Sequence, residues 1–275
     1  METIFDDRSL VLRFDDAVIL LVADLHLGLH EALHQEKGVA FPPQDKSILK
    51  RIKTLIRSHK AERLYILGDV KHEILVDHAY NWERIPHFME ELARVISVSV
   101  IPGNHDGGIS ALLPRDIEML DVKGHLIADG RVGLIHGHAW PSPRVLDAAL
   151  IVCGHTHPGV RRLRSADVPD IVRPRRIRYA GTIPVFLQSN LDCDCVRENI
   201  GILPLGEESK TTLLTMPSFN ILVSGGGIDG KGHEMQGPLF RSGCVDVAES
   251  EVYSIDGLFL GTAKTITEQL NEMIK

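Results

Sequence analysis

The sequence predicts an α/β domain built from layers of strands and helices, and two patterns support this prediction. Short apolar runs of strand length recur along the chain, and several of them end in a cluster of polar residues. Between these runs lie segments with apolar residues at helical spacing. Because ligands of open α/β sheets sit outside the carboxyl ends of the strands, we expect the polar clusters to meet at one edge.

Five strand candidates lead directly into such clusters: residues 18–23, 64–67, 95–101, 132–135 and 150–153. A first helix is predicted after residue 44, capped by Asp45, with apolar residues at 48, 49, 52, 55 and 56. A second helix is predicted over residues 82–96, with Trp82 on its apolar stripe and Pro86 in its first turn. One more helix is predicted near the end of the sequence.

Composition excludes several classes of protein. The chain has 275 residues, of which 44% are hydrophobic and 24% charged, and this excludes disordered, collagen-like and coiled-coil proteins. A net charge of −7 argues against a protein that coats nucleic acid or anionic membranes by bulk charge. The four cysteines are too few for a disulfide scaffold and suit a reducing compartment. With no signal-peptide pattern and no long apolar run, we expect a cytoplasmic protein without membrane contact.

The polar clusters share a set of potential metal donors: carboxylates, imidazoles and one amide oxygen. In chain order they contain Asp24 and His26; Asp69 and His72; Asn104, His105 and Asp106; His136 and His138; and His155 and His157. Such a mixed nitrogen and oxygen set suits Mn, Fe, Co, Ni or Zn better than Mg or Ca, which prefer oxygen alone. A single D-x-H pair is common by chance, but five clusters in this order are not.

The motifs D-x-H, G-D, G-N-H-D, H-G and G-H-x-H, spread over residues 24–158, resemble the calcineurin-like metallophosphoesterase superfamily. This resemblance implies a β-sheet sandwich flanked by helices, with a metal site at the carboxyl ends of the strands. It also implies a hydrolase of phosphate esters that uses two divalent transition-metal ions. We expect Mn²⁺, with Fe, Zn, Co and Ni as alternatives.

The same resemblance implies roles for individual residues. One ion would be held by Asp24, His26, Asp69 and His157, and the other by Asp69, Asn104, His136 and His155, with Asp69 as the bridge. His138 is an alternative to His136. His105 would contact the phosphate and assist the leaving group, and Asp106 would orient its ring. A metal-activated water would attack phosphorus, with no covalent enzyme intermediate.

One cluster points to a branch of the superfamily. His72, in the sequence G-D-V-K-H, stands where phosphoprotein phosphatases usually carry an acid. In this respect the chain is similar to the double-strand-break-repair nucleases (SbcD-like) and their smaller relatives, the DNA-ligase-associated phosphoesterases. This similarity places His72 beside the active site and implies a nuclease or nucleic-acid phosphodiesterase related to DNA repair, acting on DNA or RNA.

Two other functions remain open at this stage. The first is a phosphodiesterase or phosphatase for small esters such as cyclic nucleotides, which the net charge of −7 favours. The second is a non-catalytic scaffold on the same fold, which the complete set of motif residues, His105 included, argues against.

Arginine is concentrated directly after the last motif: residues 161–178 contain seven arginines and two aspartates. Arg173, Arg175 and Arg176 are candidates for binding a polyanionic substrate, although a solvated pair of strands would explain the same run. We expect residues 1–185 to form the catalytic body and residues 186–275 to add strands or a small cap.

Overall fold

The computed structural model describes residues 1–75, 79–164, 178–206, 209–228 and 235–274. Among these residues, no helix is long and apolar enough to cross a membrane.

The first sheet is formed by the early part of the chain and contains three of the predicted strands. Its strands are β1 (Glu2–Asp6), β2 (Ser9–Arg13), β3 (Val18–Ala23), β4 (Arg63–Leu67), β5 (Ser97–Ile101) and β6 (Glu118–Met119), adjacent in that order. The pairs β1–β2 and β2–β3 are antiparallel, and β3 to β6 are parallel. The carboxyl ends of β3, β4 and β5 therefore lie side by side.

The second sheet is larger and contains the other two predicted strands. Its strands are β7 (His125–Ile127), β8 (Val132–Leu134), β9 (Leu150–Cys153), β10 (Pro158–Arg164), β11 (Arg178–Asp192), β12 (Lys210–Thr215), β13 (Gly226–Gly227), β14 (Glu251–Ser254) and β15 (Phe259–Thr262). The order is β13-β10-β11-β12-β9-β8-β7, and β14 pairs with both β11 and β15. β8 and β9 are parallel, so their carboxyl ends are also neighbours.

Helices cover the outer faces of both sheets. They are α1 (Leu29–Lys37), α2 (Asp45–His59), α3 (Ala79–Ala93), α4 (Cys193–Asn199), α5 (Pro238–Arg241) and α6 (Ala263–Ile274), with 3₁₀ turns at Ile109–Ala111 and Pro143–Asp147. Alternate residues of β3 face different layers: Leu20 packs toward the helices and Leu21 toward the second sheet. The predicted sandwich of sheets flanked by helices is confirmed.

The predicted helices differ from the structure at their first turns. Asp45 is the first helical residue of α2 rather than its cap, and its carboxylate accepts a hydrogen bond from the hydroxyl of Tyr80. α3 begins at Ala79, before the predicted start, so Pro86 lies inside the helix, and Trp82 is 51% exposed. Buried Tyr80 and Asn81, whose Nδ2 donates to the Leu75 carbonyl at 2.8 Å, fix the earlier turn through tertiary contacts that helical periodicity does not encode.

The later part of the chain is built into the second sheet. β11 runs across residue 186, where we expected the catalytic body to end, and β12 pairs in parallel with β9. The division at residue 186 stays a prediction. The structure also pairs Cys195 with Cys244 in a disulfide, whereas Cys153 and Cys193 are free and buried. The sequence had suggested only reduced thiols.

Candidate metal centre

Loops from both sheets meet at the predicted edge. Those after β3, β4 and β5 carry Asp24 and His26, Asp69 and His72, and Asn104 to Asp106; those after β8 and β9 carry His136, His138, His155 and His157. The loops after β3 and β4 continue to pair beyond their strands, since His26 N donates to the Asp69 carbonyl at 2.8 Å and His72 N to the Leu27 carbonyl at 2.9 Å. This pairing fixes the spacing between the first two clusters.

Five of the candidate ligands have left-handed backbone, which is uncommon for residues other than glycine. Their φ angles are 57° for Asp24, 41° for His26, 50° for Asp69, 66° for His155 and 48° for His157. Each such conformation costs about 1–3 kcal/mol and persists only where surrounding contacts hold it. Half of the ten described non-glycine residues with positive φ therefore lie in this group of side chains.

Asp24, His26 and His157 form one group of donors, whose ligand atoms all lie within 4.8 Å of one another. Asp24 is fully buried, and its carboxylate accepts hydrogen bonds from His155 N at 3.0 and 3.2 Å. Nε2 of His157 lies 3.2 Å from Asp24 Oδ1 and is buried without a hydrogen-bond partner among the described residues. A buried ring nitrogen without a hydrogen bond is a candidate metal ligand.

Asp69, His136 and His155 form a second group within the same 4.8 Å limit. His136 Nε2 lies 3.5 Å from Asp69 Oδ1 and 3.2 Å from the amide oxygen of Asn104. On the other side, Asp69 Oδ2 is 3.7 Å from His26 Nε2, which belongs to the first group. Asp69 thus faces both groups, the position that the family resemblance implied for a bridging ligand.

The carboxylates in these groups are held ionised. Burial raises the pKa of Asp24, but the neighbouring His157 and His136 lower it by more than burial raises it. The pKa of Asp24 therefore ends below its usual value. Burial likewise raises the pKa of Asp69, and the hydrogen bond and charge of His136 outweigh it. For His136, burial lowers the pKa, but its contacts with Asp69 and Asp24 raise it to about 9. The two carboxylates therefore favour the protonated form of His136.

Two imidazoles are held neutral instead. Burial lowers the pKa of His26 to about 3, and burial together with the charge of His136 lowers that of His155 to about 4. A neutral imidazole offers a nitrogen lone pair to a cation, and an ionised carboxylate supplies the compensating charge. The donor set, with the unpartnered His157 nitrogen, fits divalent transition-metal ions.

Close approach of the loops requires glycine at two positions. A Cβ atom on Gly103 would lie 2.1 Å from Asp69 Oδ1, and one on Gly68 would lie 2.2 Å from His136 Nδ1. Gly68 also has φ +78°. The G-D and G-N-H-D motifs therefore include their glycines because no side chain fits there.

His105 and His72 stand at the open side of the groups. With His26, they form a third set of donor atoms within 4.8 Å. His105 Nδ1 is 2.6 Å from the His72 carbonyl, and since a carbonyl only accepts, Nδ1 carries the proton and Nε2 is left for other partners. The described hydrogen bonds of Asp106 go to the loop backbone: its carboxylate accepts from Gly103 N at 2.8 Å and Lys71 N at 3.3 Å. These bonds hold the loop that carries His105, and the orienting role of Asp106 stays a prediction.

Lys71 is a part of the site that we did not predict, although it lies inside the G-D-V-K-H motif. It is completely buried, and its Nζ donates to the carbonyls of Glu73, Ile74 and His105. Burial lowers its pKa. A lysine in a loop motif normally indicates a solvated side chain, so only the tertiary structure shows this contact.

The remaining predicted residues have different outcomes. His138 is half-buried, with its ring centroid 5.1 Å from that of His136, and its Nδ1 has no partner among the described residues. Arg173, Arg175 and Arg176 lie outside the described residues. β10, where the arginine run begins, starts directly after His157.

The comparisons with known proteins identify the family and a similar fold. The model of the calcineurin-like phosphoesterase superfamily domain matches residues 18–167. A search of proteins with curated function found no match. Among solved structures, the chain is similar to the nuclease MPE of Pseudomonas putida, with 20% identity, a TM-score of 0.51, and coverage of 94% of this chain and 99% of that one.

Two further structures match smaller parts of the chain. The phosphoesterase Yfce from E. coli has 20% identity and a TM-score of 0.32, with 60% of this chain and 87% of that chain covered. An archaeal phosphodiesterase has 16% identity and a TM-score of 0.30, with 54% and 78% covered. The family model covers more than half of the chain, and the strand-end loops carry the motifs that led to the same family. The chain is therefore a phosphoesterase that belongs to the calcineurin-like phosphoesterase superfamily.

Proposed function

We propose that this protein is a dinuclear-metal phosphodiesterase that hydrolyses nucleic acid. The observation that supports it most is the pair of donor groups Asp24–His26–His157 and Asp69–His136–His155, which face each other across Asp69. Asn104 would complete the second group through its amide oxygen. When bound, two divalent ions, which we propose to be Mn²⁺, would supply charge for the phosphate and activate water for attack on phosphorus.

The chain's own residues would perform the rest of the reaction. Nε2 of His105 is the atom available to contact the phosphate, because Nδ1 donates to the His72 carbonyl. When the ring is doubly protonated, Nε2 would pass its own proton to the leaving oxygen while Nδ1 keeps its hydrogen bond. The buried carbonyl contacts of Lys71 hold the backbone of this histidine in place. His72, beside His26 and His105, would add a contact to the substrate phosphate.

Two observations favour a nucleic-acid substrate over a small phosphate ester. A similar structure that covers 94% of this chain is described as a nuclease, and the arginine run begins in the strand that follows His157. We propose that Arg173, Arg175 and Arg176 bind the phosphates of a DNA or RNA backbone, and that the protein is related in function to DNA-repair nucleases.

A substrate panel with Mn²⁺ tests the reaction class. It contains a plasmid, a single-stranded oligonucleotide, bis-p-nitrophenyl phosphate and p-nitrophenyl phosphate, each with and without EDTA. We expect EDTA-sensitive cleavage of both nucleic acids and of the diester, with weak hydrolysis of the monoester. Hydrolysis of the small esters alone would replace the nuclease with an enzyme for small phosphate esters.

Binding of a labelled oligonucleotide across a salt series tests the arginine run. Replacing Arg173, Arg175 and Arg176 with Ala should weaken binding and reduce the salt slope by about two to three, while hydrolysis of bis-p-nitrophenyl phosphate stays near the wild-type rate. The control replaces Arg13, Arg57 and Arg94, which changes the net charge equally. If both triple variants bind alike, the run is not a specific contact surface.

A further inference from the structure

The backbone of the Asp24–His26 loop rests on a short segment from the far end of the chain. Each of the four consecutive carbonyls 23–26 accepts a hydrogen bond from residues 218–220. The donors are Phe219 N to Ala23 at 2.9 Å, Ser218 Oγ to Asp24 at 2.8 Å, and Asn220 Nδ2 to Leu25 at 2.8 Å and to His26 at 3.2 Å. We call residues 218–220 the bracket.

The bracket acts where the backbone is strained. Asp24 and His26 both have left-handed φ angles, and they lie directly after the end of β3. Ser218 and Asn220 are themselves buried, with 2% and 1% exposure. Without those donors, the carbonyls of Asp24 and Leu25 would lose these hydrogen bonds. The carbonyl of His26 would keep the one from Leu29 N at 3.1 Å. The loop could then relax toward ordinary extended or helical φ angles.

The bracket is in turn held by basic side chains. Arg51 on α2 lies 4.0 Å over the ring of Phe219 and donates to its carbonyl at 2.9 Å. The same guanidinium binds both carboxylate oxygens of Asp7, at 2.7 and 2.9 Å. Arg8, beside Asp7 at the tip of the β1–β2 hairpin, donates to the carbonyls of Ser218 and Asn220 at 3.2 and 3.1 Å.

The contacts of the bracket are asymmetric with respect to the two donor groups. The side chains of the bracket donate hydrogen bonds to the backbone of the Asp24–His26 loop, which carries two members of the first group. The second group has other bonds: His136 Nδ1 is 2.8 Å from the Leu67 carbonyl, and Asp69 Oδ1 accepts from His105 N at 2.9 Å. It meets the bracketed loop through His155 N, which donates to the Asp24 carboxylate at 3.0 Å. The bracket also lies outside residues 18–167, which match the family model.

We propose that Asn220 is a positioning residue for the metal ion of the Asp24–His26–His157 group, and that Ser218 assists it. Asn220 holds the two candidate ligands of the β3 loop at the spacing that one ion requires, without touching the ion. The inference rests on the proposed metal function, since it assigns the bracket to one of the two ions. Partners of this kind typically change metal affinity by about 10- to 100-fold when they are removed.

Substitution of Asn220 by Asp removes the Nδ2 donor and places a carboxyl oxygen against the Leu25 and His26 carbonyls. Asn220 Oδ1 accepts from Leu222 N at 2.9 Å, and an aspartate keeps that acceptor while losing the Nδ2 donor. The affinities of the two sites are measured by calorimetric titration with Mn²⁺. A second titration, with Co²⁺, is followed by the absorption spectrum of the bound ion. In Asn220→Asp we expect one site to weaken by about 10- to 100-fold and the other to stay within about twofold of wild type. Ser218→Ala should weaken the same site by a smaller factor.

Thr211→Val is the matched control, because it removes another buried hydrogen bond, from Thr211 Oγ1 to the Ala148 carbonyl at 2.5 Å in the second sheet. It should lower the Tm without changing either metal affinity. The inference is overturned if Asn220→Asp and Ser218→Ala bind both ions as wild type does, whatever their Tm. The proposed function fails in a different way, if the wild-type protein itself binds fewer than two ions.

Discussion

The two sheets make unequal contributions to the candidate centre. Loops of the first sheet bring both carboxylates, the amide of Asn104 and the histidine proposed for catalysis. They also accept hydrogen bonds from two buried side chains, Lys71 in the β4 loop and Asn220 far along the chain. Loops of the second sheet bring only imidazoles, of which His155 has a lowered pKa and His136 a raised one. The first sheet therefore supplies the negative charge and the proposed catalytic histidine. The second sheet supplies imidazole ligands.

The largest expected effect comes from the carboxylate that faces both donor groups. Asp69→Asn should abolish phosphodiester hydrolysis and remove bound metal from both sites, because the charge that compensates both ions is lost. His155→Ala, on the second sheet, should weaken one site only. Metal content after gel filtration and the rate with bis-p-nitrophenyl phosphate measure both variants. Two ions retained in Asp69→Asn, or equal losses in the two variants, would contradict the asymmetry between the sheets.

A smaller effect is expected from the catalytic histidine. His105→Ala should keep both ions and lower kcat by about two to four decades, because proton transfer to the leaving oxygen is lost while the nucleophile remains. Metal titration and steady-state kinetics are measured on the same preparation. Loss of an ion in this variant would move His105 into the ligand set and assign the group His26–His72–His105 to metal binding.

The smallest effect is expected from support of the loop. Lys71→Met leaves the carbonyls of Glu73, Ile74 and His105 without their donor and should lower the free energy of unfolding by about 1–3 kcal/mol. Because the backbone of His105 then loses a contact, kcat should fall while metal affinity stays near wild type. Chemical denaturation and the same kinetics measure this variant. Lys53→Met is the control, because Lys53 pairs with Glu91 near the surface and should change little. A stability loss without any change in kcat would reduce Lys71 to a purely structural role.

Much of the fold followed from patterns local to the sequence. Apolar runs ending in polar clusters predicted the strands β3, β4, β5, β8 and β9, because a buried parallel strand needs an apolar run and its ligand-bearing residues come after it. Helix starts were less well predicted. The first turns of α2 and α3 depend on Asp45, Tyr80 and Asn81, whose partners lie far away in the sequence.

The candidate site shows the same difference between features predicted from local sequence and features that depend on distant contacts. The sequence by itself determined which side chains gather at the strand ends, since Asp24, His26, Asp69, Asn104, His105, His136, His155 and His157 all stand in short motifs whose order follows the order of the strands. Only the tertiary structure decided what holds them there. Lys71 and Asn220 act on carbonyls 34 and 195 residues away, and the left-handed angles of Asp24 and His26 are local strain that only distant contacts can maintain. Motif spacing reports the chemistry of a site, whereas the bonds that pre-organise it depend on how remote segments pack.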